Sequence, residues 1–177
     1  MRIVAGEHRG ARIFAPKGRD TRPTSDRVRE AAFNLIGPVD GASVLDLFAG
    51  SGAMGLEALS RGAERAVFVE SDRAATRAIE QNLDKLRLRG TVLCEDGVRA
   101  LRSEAQAGRR YDLVLVDPPY EMYTDLQPAL ARTLPRVLAD DGLLVVETDA
   151  RTEPELPLEL RTSRRYGRAR LSLFEQA

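Results

Sequence analysis

SVLDLFAGSGAMG, residues 43–55, is the stretch that decides the fold. A short apolar run leads into a cluster of glycines, and a helix-like segment follows that cluster. This order predicts a buried strand, a tight turn and a helix whose N-terminus faces a ligand. Gly50, Gly52 and Gly55 allow the backbone to approach the ligand closely, because a Cβ at these positions would collide with it. The stretch predicts a nucleotide-type cofactor site, although the glycines alone leave the cofactor open.

Downstream of this stretch, apolar runs alternate with helical patterns. Four further runs are predicted as strands, at 66–69, 91–94, 111–116 and 143–146. Near-continuous apolar strands separated by helices are typical of a parallel, doubly wound α/β sheet. The last two stretches, 158–166 and 169–175, are predicted to form an antiparallel pair that turns at Gly167.

Upstream, residues 1–37 are predicted to form an extension to a main domain at 38–177, the two making one compact unit. Two short strand candidates in the extension are predicted to pair as a hairpin. Residues 24–26 supply helix-starting chemistry, and the helical pattern after them ends at Gly37 and Pro38. We therefore expect a β-hairpin followed by one helix.

The composition predicts a soluble globular protein, with 43% hydrophobic and 31% charged residues. No apolar run approaches the roughly 18–20 residues of a membrane span, and charges follow the first residue too closely for a signal peptide. We expect a cytoplasmic protein without membrane contact. Cys94 is the only cysteine, so no internal disulfide and no cysteine zinc cluster is expected, and its apolar neighbours predict a core position.

The formal net charge is zero, but the charges are unevenly distributed. Residues 1–29 carry eight basic and three acidic side chains, and residues 161–170 carry five arginines and no acid, so each segment has a net charge of +5. Basic ends around an acidic middle predict a polyanionic partner.

An acidic residue closes or follows each of the first four predicted strands: Asp46, Glu70, Asp96 and Asp117. In doubly wound sheets, ligands bind beyond the carboxyl ends of the strands, where the strand order reverses. A helix cap or a solvated turn explains one such acid, whereas four on consecutive strands predict a ligand site.

Two cofactors compete for the glycine-rich turn. GSGAMG at 50–55 matches the dinucleotide pattern, and Glu70 follows at the spacing where an acid holds a ribose hydroxyl, so both features fit an NAD-dependent oxidoreductase. Asp46 favours S-adenosylmethionine (SAM), because a buried carboxylate repels a pyrophosphate but attracts the ammonium group that SAM carries.

DPPY at 117–120 favours SAM as well. The Asp117 carboxylate and the Pro118 carbonyl can accept the two hydrogens of an exocyclic amine on a planar base, and Tyr120 can stack on the ring. At the end of the fourth strand, this tetrapeptide predicts methylation of a base amine.

The sequence resembles class I SAM-dependent methyltransferases, and nearly the whole chain is similar to the RsmD family of 16S rRNA guanine-N2 methyltransferases. The resemblance rests on RPTSDRVREAAFN (22–34), VLDLFAGSGAMGLEALSRGA (44–63), FVESD (68–72) and DPPY (117–120). It implies a Rossmann-like α/β fold with a doubly wound, mostly parallel seven-strand sheet. An antiparallel C-terminal strand pair and an N-terminal β-hairpin-and-helix extension near the active site complete that fold.

The resemblance also implies a role for each matching position. Five residues would bind the cofactor: Asp46, Gly50 and Gly52 at the methionine part, Glu70 at the ribose and Asp96 at the adenine amine. Three would be catalytic, because they would hold the guanine amine: Asp117, Pro118 and Tyr120. The implied partner is 16S rRNA or the small ribosomal subunit, and no metal is implied.

The positive charge of the extension, rather than the resemblance, predicts contact with substrate RNA. Five residues there are predicted to make this contact: Arg9, Arg12, Arg22, Thr24 and Arg27. We expect the protein to be a monomer.

Three alternatives remain. An adenine-N6 methyltransferase acting on DNA or RNA shares DPPY, but the DNA enzymes usually need a target-recognition region for which this chain has no spare length. A catalytically silent RNA-binding scaffold is disfavoured because the cofactor and base-site residues are all intact. The NAD-dependent oxidoreductase is the most distant alternative.

Overall fold

A computed structural model describes residues 1–16 and 25–177 of the chain. Helices and strands alternate as the sequence predicts. In chain order they are α1 (Asp26–Ile36), β1 (Ser43–Leu47), α2 (Ala53–Ser60), β2 (Arg65–Glu70), α3 (Arg73–Leu86), β3 (Thr91–Cys94), α4 (Gly97–Gln106), β4 (Tyr111–Val116), a 3₁₀ turn (Tyr120–Met122), α5 (Tyr123–Val137), β5 (Leu138–Asp149), β6 (Glu159–Tyr166) and β7 (Ala169–Glu175).

The strands form one seven-stranded sheet in the order β3-β2-β1-β4-β5-β7-β6. Strands β1 to β5 are parallel, whereas β7 runs antiparallel to both β5 and β6. The order reverses between β1 and β4, which lie side by side, so the switch point lies at their carboxyl ends. The predicted fold class is confirmed.

Helices cover both faces of the sheet because strand side chains alternate between them. Leu113 and Leu115 of β4 belong to a core shared with α1, α2 and α3. Val114 and Val116 of the same strand belong to a second core, shared with α4 and α5. Both faces of β4 are therefore buried, which explains its continuous apolar run.

The N-terminal hairpin is smaller than predicted, because its strands reduce to one isolated antiparallel bridge between Arg2 and Arg12. Side chains from the main domain satisfy much of its backbone instead. Glu57 of α2 accepts from the N–H groups of Val4 and Ala5, each at 2.9 Å. Asn82 of α3 accepts from Phe14 N–H at 2.7 Å and donates to the Phe14 carbonyl at 3.0 Å.

Two other predictions need correction. Strand β5 extends well beyond the predicted 143–146 at both ends. Cys94 is exposed rather than in the core, because β3 is an edge strand whose last residue lies at the open end of the sheet.

None of the described helices is long and apolar enough to cross a lipid bilayer. Within the part of the chain that the structure describes, His, Cys, Asp and Glu side chains form no group of three suited to hold a metal ion.

Candidate active site

Asp46 lies in the middle of the sheet at the switch point, on β1 between β2 and β4. Its side chain is buried, and Oδ2 accepts a hydrogen bond of 2.9 Å from the N–H of Gly55 in α2. Burial raises the pKa of the Asp46 carboxyl to about 7, although the Gly55 hydrogen bond lowers it, and the negative charge of Glu70 adds to the rise. A positively charged ligand group would relieve this burial cost.

The turn after β1 has backbone angles that few residues adopt. Gly50 and Gly52 have φ values of 57° and 78°, and Phe48, which is not a glycine, has a φ of 63°. Glycine adopts such angles without strain, whereas the strained φ of Phe48 is of the kind concentrated at ligand-binding sites. An added Cβ on Gly52 would lie 3.0 Å from Ile79 Cγ1, whereas one on Gly50 would meet nothing within 4 Å and would project into open space.

Glu70 holds this turn in place from the end of β2. Its Oε2 accepts from Gly50 N–H at 2.8 Å and its Oε1 from Asp72 N–H at 2.9 Å. The carboxylate therefore connects the glycine turn to the segment that starts α3. Each carboxylate oxygen has a further lone pair, so these hydrogen bonds are compatible with the predicted contact to a ribose hydroxyl.

Asp96 is exposed and is the N-cap of α4, where Oδ1 accepts from Arg99 N–H at 2.9 Å. Helix capping thus accounts for part of the role of Asp96. A cap is the simpler explanation for a single acidic residue at the end of a strand. Gly97, which the sequence analysis missed, follows it. An added Cβ on Gly97 would lie 2.6 Å from Phe48 Cε1, so the ring of Phe48 packs between the β1 turn and the start of α4.

The DPPY segment follows β4, so it lies beside the glycine turn that follows β1. Asp117 and Tyr120 are half-buried and Pro118 is buried. Pro119 is exposed, and its carbonyl accepts from Met122 N–H at 2.9 Å to start the 3₁₀ turn. The Tyr120 hydroxyl donates to Glu147 Oε1 at 2.9 Å. The structure therefore brings all three predicted catalytic residues to the carboxyl edge of the sheet, next to the predicted cofactor residues.

Glu147 is a residue of this edge that the sequence analysis missed. It lies on β5 in the run VVETD, where a single acid in a long strand carries no spacing signal. Only the pairing of β5 beside β4 brings it near DPPY.

The predicted RNA-contact residues are spread along the extension. Arg27 is exposed in the first turn of α1. This end of α1 lies toward the carboxyl edge, because Asp26 pairs with Arg2, and Met1 beside Arg2 contacts Ser51 of the glycine turn. Arg9 is exposed at the other end of the molecule, since its hairpin turn packs against Ser60, the last residue of α2. Arg12 is exposed between these two ends of the molecule. The remaining two, Arg22 and Thr24, lie outside the described residues.

The second basic segment forms the β6–β7 hairpin. Ala169 pairs with Asp149 at the end of β5, so the hairpin turn lies at the carboxyl edge. Arg170 is buried and bound internally, to the Ala150 carbonyl, Ser163 Oγ and Glu153. The exposed arginines near the turn form a surface that we call the arginine hairpin: Arg164, Arg165 and Arg168.

A cleft of about 650 Å³ opens between the start of α3 and the end of β3. Of the predicted site residues, Asp96 alone lines this cleft. The cleft lies at the outer end of the carboxyl edge, away from Asp46 and DPPY, and its position fits the adenine end of a nucleoside better than the reacting end.

The family model described as "Conserved hypothetical protein 95" matches residues 1–175. The chain belongs to this family. YlbH of Bacillus subtilis (strain 168) is 38% identical over 184 residues, which cover 99% of each chain. Ribosomal RNA small subunit methyltransferase D of Escherichia coli (strain K12) is 39% identical over 155 residues, covering 84% of this chain and 75% of that one.

A solved structure gives the same result. The structure of yhhF from Escherichia coli superposes with a TM-score of 0.87 at 34% identity, covering 100% of this chain and 98% of that chain. The family is the RsmD family that the sequence predicts, within the class I methyltransferases. Membership confirms the prediction of SAM as the cofactor and of a methyltransferase as the enzyme class.

Proposed function

We propose that the protein transfers a methyl group from SAM to the exocyclic N2 of a specific guanine in the 16S rRNA of the small ribosomal subunit. The observation that carries this proposal is the position of DPPY. It extends from β4, directly beside the glycine turn of β1, so a base amine and a methyl donor would meet at the switch point. The relative named ribosomal RNA small subunit methyltransferase D supports the choice of substrate.

The residues present fit SAM. Asp46 offers a buried carboxylate to an ammonium group, and the space beside Gly50 lets the backbone approach the methionine part. Glu70 would accept from the ribose and Asp96 from the adenine amine. A pyrophosphate in the same place would face the Asp46 charge, which argues against a dinucleotide. When bound, SAM supplies a methyl group on a positively charged sulfur.

The base pocket has to make guanine N2 nucleophilic, because the lone pair of this amine is delocalised into the ring. The Asp117 carboxylate and the Pro118 carbonyl would accept its two N–H hydrogens and draw the nitrogen toward a tetrahedral geometry. Among the described residues, no donor is paired with the Pro118 carbonyl, whereas the carbonyl of Pro119 is already used. Tyr120 would stack on the base, so positioning and electrostatics supply most of the rate.

The target base must leave its stack to enter this pocket, and unpaired RNA makes that step inexpensive. We propose that the arginine hairpin and the basic extension hold the surrounding phosphates. Arg9 lies at the end of the molecule opposite the pocket, so its predicted RNA contact requires a substrate that extends along the whole molecule.

We also propose that residues 1–37 act as an RNA-contacting lid that forms one unit with residues 38–177. Glu57 supports this proposal, because it is fully buried and binds Arg29 of α1 as well as the hairpin backbone. Since Glu57 belongs to α2, the helix after the glycine turn, the extension is fixed to the cofactor site. We expect this unit to be a cytoplasmic monomer.

The test uses tritiated SAM and small ribosomal subunits from cells that lack the endogenous enzyme, with free 16S rRNA and DNA as parallel substrates. We expect label in N2-methylguanosine at one site after nucleoside digestion. Label in N6-methyladenosine would refute guanine as the target base and support the alternative, an adenine-N6 methyltransferase. Absence of label, with SAM binding seen by calorimetry, would refute the rRNA substrate while leaving the fold assignment intact.

A further inference from the structure

Glu147 is an acidic residue of the carboxyl edge that the proposed chemistry does not use. It lies on β5, and Val146 before it pairs with Val116, the last residue of β4. Asp117 and Glu147 are therefore the next residues on two adjacent strands. Val146 and Thr148 on either side of Glu147 are fully buried, whereas Glu147 itself is half-buried and opens toward the edge of the sheet.

The side chain of Glu147 lies on the face of the sheet that carries the extension. Because side chains alternate along a strand, it shares the face of Leu143 and Val145, whose core includes α1. The Tyr120 hydroxyl donates to its Oε1 at 2.9 Å. The carboxylate is thus held at the phenol end of the ring, where one edge of a base stacked on that ring is within its reach.

The edge of guanine that carries N2 presents two kinds of donor side by side, the N2 amine and the ring N1–H. A carboxylate accepts hydrogen bonds and cannot donate them. Adenine presents an acceptor at N1, which a carboxylate repels. Two acidic side chains on adjacent strands therefore match the donor pattern of guanine, one at the amine and one at N1–H.

We propose that Glu147 is a specificity-determining residue, which accepts the guanine N1–H while Asp117 and Pro118 hold the amine and Tyr120 orients the Glu147 carboxylate. This inference rests on the proposed function and deepens it, because it states how the pocket selects guanine over other bases that bear an amine.

The test compares guanine with 2-aminopurine, which keeps the N2 amine but has an acceptor at N1. Once the labelled site has been mapped, 16S rRNA carrying either base at that site is made by ligation and reconstituted into subunits. For the unaltered protein we expect kcat/KM to favour guanine strongly. For Glu147→Gln, whose amide can donate to N1 of 2-aminopurine, we expect the guanine to 2-aminopurine ratio of kcat/KM to fall at least about tenfold.

Two further variants separate specificity from structural support. Tyr120→Phe keeps the ring but removes the hydroxyl that orients Glu147, so a smaller fall in the ratio is expected. Tyr123→Phe removes a hydroxyl in the core on the other face of the sheet, which is buried without a hydrogen-bond partner among the described residues, and the ratio should stay as in the unaltered protein. Glu159→Gln is the matched charge control, because Glu159 is exposed and lies at the end of β6 that is farthest from the carboxyl edge.

The outcomes are distinct. An equal loss on both bases in Glu147→Gln, including loss below detection in a folded variant that binds SAM, would assign Glu147 to the support of Tyr120 and overturn the inference. An unchanged ratio would overturn it as well. Failure of the unaltered protein to methylate guanine would instead refute the proposed function.

Discussion

The carboxyl edge of the sheet has two halves that are built differently. In the cofactor half, at the ends of β1 to β3, Asp46, Glu70 and Asp96 all accept hydrogen bonds from backbone N–H groups of the glycine turn or of the starts of the helices. In the base half, at the ends of β4 and β5, a hydrogen bond joins the side chain of Tyr120, in the 3₁₀ turn after β4, to that of Glu147 on β5. The first half is a rigid frame of backbone, and the second depends on the pairing of strands.

This difference indicates how the tasks are divided. Backbone amides set by glycines and helix starts hold the acids of the cofactor half in place before any ligand arrives. The base half presents side chains whose donors and acceptors can match one base. Changes in one half should therefore leave the other half working.

The largest expected effect is on stability, in the anchor that the cofactor half shares with the extension. Glu57 and Arg29 are fully buried and 3.4 Å apart at Oε2 and Nε, and Arg61 Nε lies 3.0 Å from Glu57 Oε1. Glu57→Gln leaves two guanidinium groups without their common carboxylate. Urea unfolding should show a loss of about 3–5 kcal/mol. The exposed Glu64→Gln should change stability little, and a small loss in Glu57→Gln would contradict the anchor.

The base half is tested by Asp117→Ala. We expect kcat for methyl transfer to fall by about 10²–10³-fold or more, because the amine loses its charged acceptor. The SAM dissociation constant from calorimetry should stay within a few-fold of the unaltered value, since the cofactor half is untouched. Asp141→Ala, an exposed change near the start of β5, should retain activity. Near-normal turnover in Asp117→Ala would refute its role.

The cofactor half is tested by Gly50→Ala. A positive φ of 57° makes alanine strained by about 1 kcal/mol, and its Cβ would enter the space that we assign to the cofactor. We expect SAM binding to weaken about tenfold, equivalent to about 1.4 kcal/mol. Gly108→Ala is the matched control, because Gly108 has a φ of 69° and equally open surroundings at the far end of α4. Equal SAM affinity in the two variants would contradict the assignment.

The raised pKa of Asp46 predicts that SAM binding is coupled to the release of a proton. Its pKa of about 7 in the protein exceeds the ordinary value of 3.8, so the protonated form favours folding. That stability is fully present below pH 3.8 and is lost as pH rises through 7. An ammonium group beside Asp46 would lower this pKa again. Calorimetry at pH 6 in two buffers of different ionisation enthalpy should therefore show proton release on SAM binding. Asp46→Asn should show none, and an equal release from that variant would exclude Asp46 as the source.

The smallest effect is expected on the salt dependence of RNA binding. Replacing Arg164 and Arg165 with glutamine should reduce the slope of log K against log salt by about 0.7 for each phosphate that the variant no longer neutralises. Filter binding to small subunits over a range of salt concentrations measures this slope. Arg132→Gln, an exposed change on α5, should leave the slope unchanged. An unchanged slope in the hairpin variant would show that the arginine hairpin does not neutralise RNA phosphates.

The sequence predicted the parts of the molecule that local rules specify. The apolar runs of β1 and β4 and the turn at Gly167 follow from residue type and spacing, and the structure has them. Long-range pairing was not predictable in the same way. Nothing in the run VVETD indicated that Glu147 would meet Tyr120, because that contact depends on β5 lying beside β4.

The surroundings of individual side chains were the other part that the sequence did not specify. Asp46 was predicted to be buried and is, but its spacing gave no sign of its protein partner, the N–H of Gly55, nine positions further along the chain. Cys94 was placed in the core because its neighbours are apolar, but only the position of β3 at the edge of the sheet decides its exposure. Both outcomes depend on the neighbours of a strand rather than on its own residues.

The most direct test of the account is the identity of the atom that receives the methyl group. Small subunits lacking the modification are incubated with SAM that carries a deuterated methyl group, and the digested nucleosides are separated and weighed by mass spectrometry. We expect the deuterated label in a single nucleoside that co-elutes with authentic N2-methylguanosine, and no label with Asp117→Ala. Label on guanine N1 or N7, or on adenine, would contradict the role assigned to DPPY.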